Sequence, residues 1–574
     1  MIDMYLKQSQ RKDGRTYLSI ADGFHDPQRG HTRTKTIEKI GYLEDFLDQY
    51  DDPIAHFKEI VARKNAEKAE SKQRQTYDYD PDETFDGDNS RNIGYAVLSH
   101  IYHKLEIDKF FNSRQRSIGA KYNLNSIMRL LVFSRMLYPG SKKKAYDERG
   151  KFFERFDFTI DDVYRSLTRL NKFKDALQLW IHERVTAGYG RDTTITYYDV
   201  TNYYFEIDKQ DKTRRKGVSK EHRPDPIVQM GLFMDNTGLP VAYQLFPGNN
   251  NDCTTLIPIL QRIRREFGVG KAVVVSDKGL NTARNAYYLA NSRGGYVFSQ
   301  SVRGGTKELK EYVLKKSGYE QYGDGEDEFK KKSRQFTRHV EFKDESGNTI
   351  KAKIAEKQVV FYSRAYDRRA KADRAAAVAK ANALIATPDK FNKYNTYGAA
   401  KYIKHIEFDE DTGEIIKAKS VLAFDEEKLA EDEKYDGYYV IVTSRHNAKD
   451  DWVIDTYKEL WRIEETFKVT KSDLEARPVR VSREDHIEAH FLTCFLSLVI
   501  IRLLQKMTDW KFSSKAILTG LAQTCVSNID GNRYVASYND KAVVEIGNMF
   551  GIDFRLKNRT LAEIKNIVAN SKLR

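Results

Sequence analysis

Three side chains of complementary chemistry recur at seven-residue intervals: Tyr457, Glu464 and Lys471, within WVIDTYKELWRIEETFKVTK (Trp452 to Lys471). On an α-helix, two turns return a side chain to within roughly 20° of its starting azimuth and raise it by about 10 Å. The spacing predicts one stripe carrying a hydroxyl, a carboxylate and an ammonium, which suits a metal-binding acid beside a phosphate backbone. A solvated stripe on an amphipathic helix, with Val453, Leu460, Ile463 and Phe467 facing a core, fits the same pattern. Two upstream acids add to it. Asp199 lies inside the strand-like YYDVTNYYF, where a carboxylate is costly to bury unless it is paired or binds a cation. Asp277 follows the apolar run AVVVS in SDKGLN, at a strand's carboxyl end, where open α/β sheets build their sites. If the two strands are neighbours, divalent cations would let the like charges sit side by side. With Glu464 as a third hard oxygen ligand, the set suits Mg²⁺ or Mn²⁺. Two such ions activate water and stabilise a leaving 3′ oxygen.

Elements that would position these acids follow from periodicity. Thr194–Val200 reads as a first strand, continued or returned by Tyr203–Ile207. Ile227–Met234 and Val241–Phe246 flank the hairpin turn Asp235–Gly238 (DNTG). A helix over Thr254–Phe267, a buried strand at Ala272–Ser276, a helix over Thr282–Asn291 and a strand at Tyr296–Ser299 follow. The predicted class is α/β: a ribonuclease-H-like mixed five-stranded sheet with helices, interrupted by a β-rich insertion domain and flanked by helical N- and C-terminal regions. Residues 304–449 are too many for a loop and read as that insertion, with strand-like pieces at Arg338–Phe342, Val359–Arg364, Tyr402–Phe408 and Tyr438–Thr443 and a long helix at Asp367–Ile385. The core thus spans 191–303 and resumes at 450–510. Residues 1–75 form a small β/α unit, 76–92 an acidic linker, 93–190 a helical region suited to DNA contact, and 511–574 a basic helical tail.

Bulk properties agree with a nucleic-acid partner. A chain of 574 residues requires several domains, and a net charge of +14 favours a polyanion. Cys253, Cys494 and Cys525 are dispersed, with no CxxC, so neither a disulfide framework nor a zinc site is expected. The first residues lack an apolar signal core, and the most apolar window, Phe491–Ile501, is closed by His490 and Arg502 and is too short to span a bilayer. A cytoplasmic, nucleoid-associated location without membrane partners is therefore expected.

The pieces TYYDVTNYYFE, VVVSDKGLN and YKELWRIEETFKVTKSDLEARPV, with RRKGVSKEHRPD and GLFMDNTGLPVAYQLFPGNNND, resemble the DDE transposases of bacterial insertion sequences that carry the YREK signature. The resemblance covers about Thr194 to Leu504. It implies that Asp199, Asp277 and Glu464 form the catalytic, metal-binding triad and that Tyr457 and Lys471 contact phosphates of the cleaved end. It also implies cut-and-paste transposition through a hairpin, and a homodimer bridging two transposon ends before joining them to target DNA. The signature's arginine position is Leu460 here, and Arg462 is turned about 200° away on a regular helix. A structure-selective nuclease on the same fold and a domesticated DNA-binding regulator remain alternatives.

The basic loop Arg214–Arg223, with Arg214, Arg215, Lys216, Lys220 and Arg223, is a further candidate for phosphate contact. GVGK at Gly268–Lys271 lacks the remaining residues of a phosphate loop, so no nucleotide cofactor is expected. His486 and His490 have metal-like spacing without a third ligand and read as helix packing, as do Trp452 and Trp461.

Overall fold

A computed structural model describes residues 4–26, 31–70, 89–217, 224–391, 396, 398–408, 415 and 422–573. Two compact units are present: Met1–Asn89 with Asn528–Tyr534 and Gly551–Asp553, and the remainder. In the first, strands β1 (Tyr5–Gln10), β2 (Thr16–Asp26) and β3 (His31–Tyr42) form an antiparallel sheet in that order. Helix α1 (Pro53–Glu70) starts after Asp52, whose carboxylate accepts the Ala55 N–H, and Asn65 exchanges two hydrogen bonds with Met4 of the chain leading into β1. Residues 76–88 of the expected acidic linker lie outside the described residues.

The second unit opens with β4 (Ser90–Asn92) and helices α2 (Tyr95–Lys104), α3 (Ile107–Ile118), α4 (Leu124–Leu137), α5 (Lys142–Asp147), α6 (Ile160–Lys172) and α7 (Lys174–Tyr189). Local chemistry sets several boundaries: Asn123 caps α4, Ser141 caps α5, and Thr159 with Asp162 forms a capping box on α6.

The sheet departs from the five strands expected. Strands β5 (Ile195–Tyr204), β6 (Ile227–Asp235), β7 (Pro240–Pro247), β8 (Val273–Ser276) and β9 (Tyr296–Gln300) are all present. Four more come from the inserted segment: β10 (Glu320–Tyr322), β11 (Phe329–Lys343), β12 (Thr349–Ser363) and, after the two-residue strands β13 (Ile403–Lys404) and β14 (Ala423–Phe424), β15 (Tyr438–Thr443). All nine join one sheet, ordered β10-β11-β12-β15-β9-β8-β5-β6-β7. The insertion is thus no separate β-domain at its root, because β15 pairs antiparallel with β9 and carries the sheet onward. Its remainder keeps a small core of its own, where Ala381, Leu384, Ala399, Tyr402 and Ile403 pack together. Helices α8 (Leu256–Glu266) and α9 (Ala283–Ala290) cover one face of the sheet. Helices α10 (Lys307–Leu314), α11 (Arg364–Ala386) and α12 (Glu426–Glu433) belong to the insertion.

The expected single helix over 452–471 is three pieces: α13 (Asp450–Lys458), α14 (Trp461–Lys468) and a π-helical turn, Val469–Asp473. Between α13 and α14 the bonds tighten to i→i−3, from Leu460 N–H to Tyr457 O and from Ile463 N–H to Leu460 O. After α14 they widen to i→i−5, from Leu474 N–H to Val469 O. Tyr457, Glu464 and Lys471 therefore do not share one regular helical stripe. Helix α15 (Glu484–Met507) follows and is almost wholly buried. It is long and apolar enough to cross a membrane, yet its most apolar window is 94% buried within the protein, as in a core helix. The C-terminal region is not purely helical: β16 (Cys525–Asp530), β17 (Arg533–Ala536) and β18 (Asn558–Thr560) alternate with α16 (Ser514–Gln523), α17 (Lys541–Met549) and α18 (Leu561–Asn570). Cys525–Ser527 of β16 pairs with β4.

Candidate active site

Strand register brings the two aspartates together. Strands β5 and β8 run parallel and pair Ile195 with Val273, Thr196 with Val274 and Tyr197 with Val275. Each pair differs by 78 positions (273 − 195), the same offset that separates Asp199 from Asp277 (277 − 199). The Ser276 hydroxyl, donating to Tyr198 O at 2.8 Å, carries the register one step beyond the last ladder pair. Asp199 in β5 and Asp277 immediately after β8 thus stand at one level, with Cα atoms roughly 5 Å apart.

Alternation fixes the face. Tyr198 and Val200 point into the core under α8, where the Tyr198 hydroxyl donates to Thr255 Oγ1 at 2.7 Å. The odd-numbered residues therefore face the other side, where the Tyr203 hydroxyl meets Thr470 Oγ1 at 2.7 Å. Helix α14 packs on β5 and α13 on β8 and β9. Each aspartate is half-buried, with one oxygen engaged by nearby backbone: Asp199 Oδ1 accepts the Val200 N–H at 2.7 Å, and Asp277 Oδ1 accepts the Gly279 N–H at 2.5 Å.

A run of tyrosines links this pair to Glu464. Tyr457 is held against β9 and β15, its hydroxyl 3.0 Å from that of Tyr439. Burial pushes its hydroxyl pKa up strongly, and the nearby Tyr439 and Asp277 add to the effect, so it remains a neutral phenol beside Asp277. Tyr439 packs on Tyr366 of α11, with ring centroids 5.7 Å apart. Burial also raises Tyr366, and the charge of Glu464 contributes. Glu464 itself is exposed on α14. Among the described residues, no three His, Cys, Asp or Glu side chains are gathered closely enough to hold a metal ion. The strand register thus brings the two aspartates to one level, while Glu464 is exposed on α14 within electrostatic reach of Tyr366.

The feature that fixes α14 is Arg502, whose place at the end of an apolar window gives no sign of that role. This fully buried guanidinium on α15 donates two 3.1 Å bonds to Glu465 Oε2, and others to Arg462 O and Thr466 Oγ1. Glu464 is thereby flanked by residues tied to the core helix.

The other candidate residues have varied settings. Lys471 sits in the π-helical turn with its ammonium 5.8 Å from the Tyr203 ring, roughly 13 Å along β5 from Asp199. Arg462 is ion-paired with Glu459 at 2.5 Å, and Leu460 is buried at the tight turn. Arg214 pairs with Asp211 at 2.6 Å, while Arg215 and Lys216 are exposed. Lys220 and Arg223 lie outside the described residues. His490 is buried, and His486 stacks on Tyr164 at 6.5 Å. Trp461 is 53% exposed, contrary to the packing role expected of it.

Residues 205–500 match the family described as "Transposase DDE domain", a span that includes Asp277 and Glu464 and starts six positions after Asp199 (205 − 199). Residues 6–76 match "IS1634 family transposase, N-terminal domain". No curated protein matches the chain. Among solved structures, a piggyBac transposase synaptic complex with hairpin DNA is similar at 8% identity and a TM-score of 0.32, covering 89% of this chain and 81% of that one.

Proposed function

Because this chain belongs to the DDE transposases of bacterial insertion sequences, we propose that it cuts DNA at its element's ends and joins them to a target, with Asp199, Asp277 and Glu464 as its metal-binding acids. The observation that best supports the assignment is the shared 78-residue offset, by which Asp199 of β5 is level with Asp277 just beyond the end of the parallel β8. Two like charges at that spacing repel unless a cation lies between them, and hard oxygen donors suit Mg²⁺ or Mn²⁺. The order β7-β6-β5-β8-β9, antiparallel over its first three strands and parallel over β5, β8 and β9, supports reading these five as a ribonuclease-H-like core.

Bound at these acids, two such ions supply Lewis-acid activation of water and stabilisation of the leaving 3′ oxygen. The chain's own residues do the rest. Asp199 and Asp277 fix the metal position from the rigid sheet. Glu464, whose exposed side chain is not locked by packing, completes the set from α14. Tyr457 holds a neutral hydroxyl beside Asp277, suited to orienting a phosphate oxygen, and Lys471 offers its charge farther along the backbone. Arg215 and Lys216 add exposed cations, with Arg214, Arg462, Lys220 and Arg223 as further DNA contacts. With Leu460 at the signature position, any hairpin step proceeds without an arginine there. Two ends are bridged by a homodimer in this reading, and action on DNA places the protein at the nucleoid.

The test is incubation of purified protein and Mg²⁺ with duplexes carrying the element's own ends. The expected result is nicking at the element boundary, giving a free 3′-OH that is then joined to target DNA. Cutting of branched junctions irrespective of end sequence would make the protein a structure-selective nuclease. Binding without metal-dependent cutting would make it a regulator.

A further inference from the structure

A second cluster of charged side chains, apart from the three acids, is mainly cationic. A small cavity of about 30 Å³ lies between α4, α5 and the segment after the π-helical turn, walled by Arg135, Lys142, Arg477, Arg480, Glu475 and His490. Arg135 and Lys142 are each only 5% exposed. Among the described residues, the Arg135 guanidinium donates to the backbone carbonyls of Leu474, Glu475 and Gly140, and its Nε is buried without a hydrogen-bond partner. Lys142 Nζ is 3.2 Å from His490 Nδ1, while His490 Nε2 is 3.0 Å from Ala476 O. The second contact requires the proton on Nε2, so Nδ1 accepts from the ammonium and the imidazole is neutral. The charge that acts on Lys142 most strongly is that of Arg135.

A buried ammonium beside a buried guanidinium is costly, and Glu475, the carboxylate among the described residues that line the cavity, is exposed rather than buried with them. Burial, then Arg135, pushes the Lys142 ammonium down to about 7. An anion in the cavity would relieve that penalty, using the remaining Lys142 protons and the unpartnered Arg135 Nε. The volume suits about two water-sized groups, comparable to the two non-bridging oxygens of a phosphodiester.

What lies outside the cavity indicates which phosphate enters. Its mouth shares Pro478, Arg480 and Val481 with a larger cavity of about 550 Å³. That one shares Tyr164, Arg483 and His486 with a third, of about 610 Å³, lined also by Lys121, Arg165, Arg169 and Lys172. Through these shared residues the three adjoin as a mainly basic trough, whose lining also carries Asp162, Glu206 and Glu475, with the small cavity its most enclosed part.

We propose that this cavity is a phosphate-binding pocket seating one backbone phosphate of DNA that lies along the trough. The proposal rests on the reading of the protein as one that acts on DNA. It assigns a sequence-independent contact, which sets register without reading bases.

The test uses the full-length protein, its Lys142→Met and Arg480→Gln variants, and two labelled duplexes, one carrying the element's end and one unrelated. Fluorescence anisotropy across a salt series is expected to show each variant binding both duplexes about three- to tenfold more weakly. The slope of log K against log[salt] should fall by about one. Lys142→Met should melt at or above the wild-type temperature, because it removes a buried charge beside that of Arg135. Sodium phosphate should raise the melting temperature of the wild type, and not of Lys142→Met, relative to sodium chloride at equal ionic strength. If Lys142→Met does not fold, Arg480→Gln, altered at the exposed mouth, carries the DNA measurement. Unchanged affinity and slope in the variants overturn the proposal. If phosphate still stabilises only the wild type in that case, the pocket serves free phosphate. Failure of the wild type to bind either duplex would overturn the DNA-acting reading itself.

Discussion

Asp277→Asn is expected to slow cleavage of end DNA by at least about a thousandfold, some 4 kcal/mol in barrier height, with DNA binding unchanged within about twofold. The substitution exchanges a charged metal ligand for a neutral amide of the same shape. The amide oxygen still accepts the Gly279 N–H, so the turn after β8 keeps its cap. It also removes one of two like charges held in register, so the melting temperature should hold or rise slightly. Asp199→Asn should behave the same way. The double variant should be little slower than either single one, because ligands of one metal site act as a unit. Strand-nicking time courses and thermal melts check this result. Additive losses would mean that the aspartates work separately.

Arg502→Met should give the second-largest effect, and through position alone. The guanidinium joins Glu465, Thr466 and the Arg462 carbonyl to α15, and its charge lies 5.2 Å over the Trp510 ring. Methionine fills part of the volume and makes none of these bonds. Because Glu465 is 35% exposed, it regains water when released, which tempers the loss. About 2–4 kcal/mol of stability is expected to go, less than for a fully buried broken pair. Cleavage should fall about ten- to a hundredfold, and the Mg²⁺ concentration giving half-maximal rate should rise, because Glu464 rides on the loosened α14. A purely structural role would lower stability and leave that Mg²⁺ dependence unmoved. Glu465→Gln, which keeps an acceptor for Arg502, should be much milder.

Local pattern carried the sequence a long way at the strands that hold the aspartates. YYDVTNYYF, AVVVS and the DNTG turn all lie where the alternation and apolar runs put them, and the hairpin closes with Asp235 Oδ1 accepting the Thr237 and Leu239 N–H groups. The helix after Trp452 was less legible. A seven-residue spacing assumes regular α geometry, and neither the tight turn at Leu460 nor the wide one after Lys468 has a proline or glycine to mark it.

Sheet membership was hidden for another reason. Strands β11 and β12 are 15 residues each and carry many Lys, Arg and Glu along their length, so only Arg338–Phe342 of β11 and Val359–Ser363 of β12 read as strand. Which sheet they join depends on β15 pairing with β9, a contact 140 residues apart in sequence for Val440 and Gln300 (440 − 300). For that reason Tyr366 and Tyr439 gave no sequence signal as neighbours of Glu464 and Tyr457. Arg502 did give one, a lone cation amid FLSLVIIRLL, where burial demands a partner; the partner, Glu465, was visible only in three dimensions.

The central claim is that Asp199, Asp277 and Glu464 bind metal together, and Mn²⁺ binding followed by electron paramagnetic resonance tests it without requiring turnover. In the presence of end DNA, the wild type should bind Mn²⁺, Asp199→Asn and Asp277→Asn should each lose most of that binding, and Glu464→Gln should weaken it. Wild-type Mn²⁺ affinity in either aspartate variant would contradict the account.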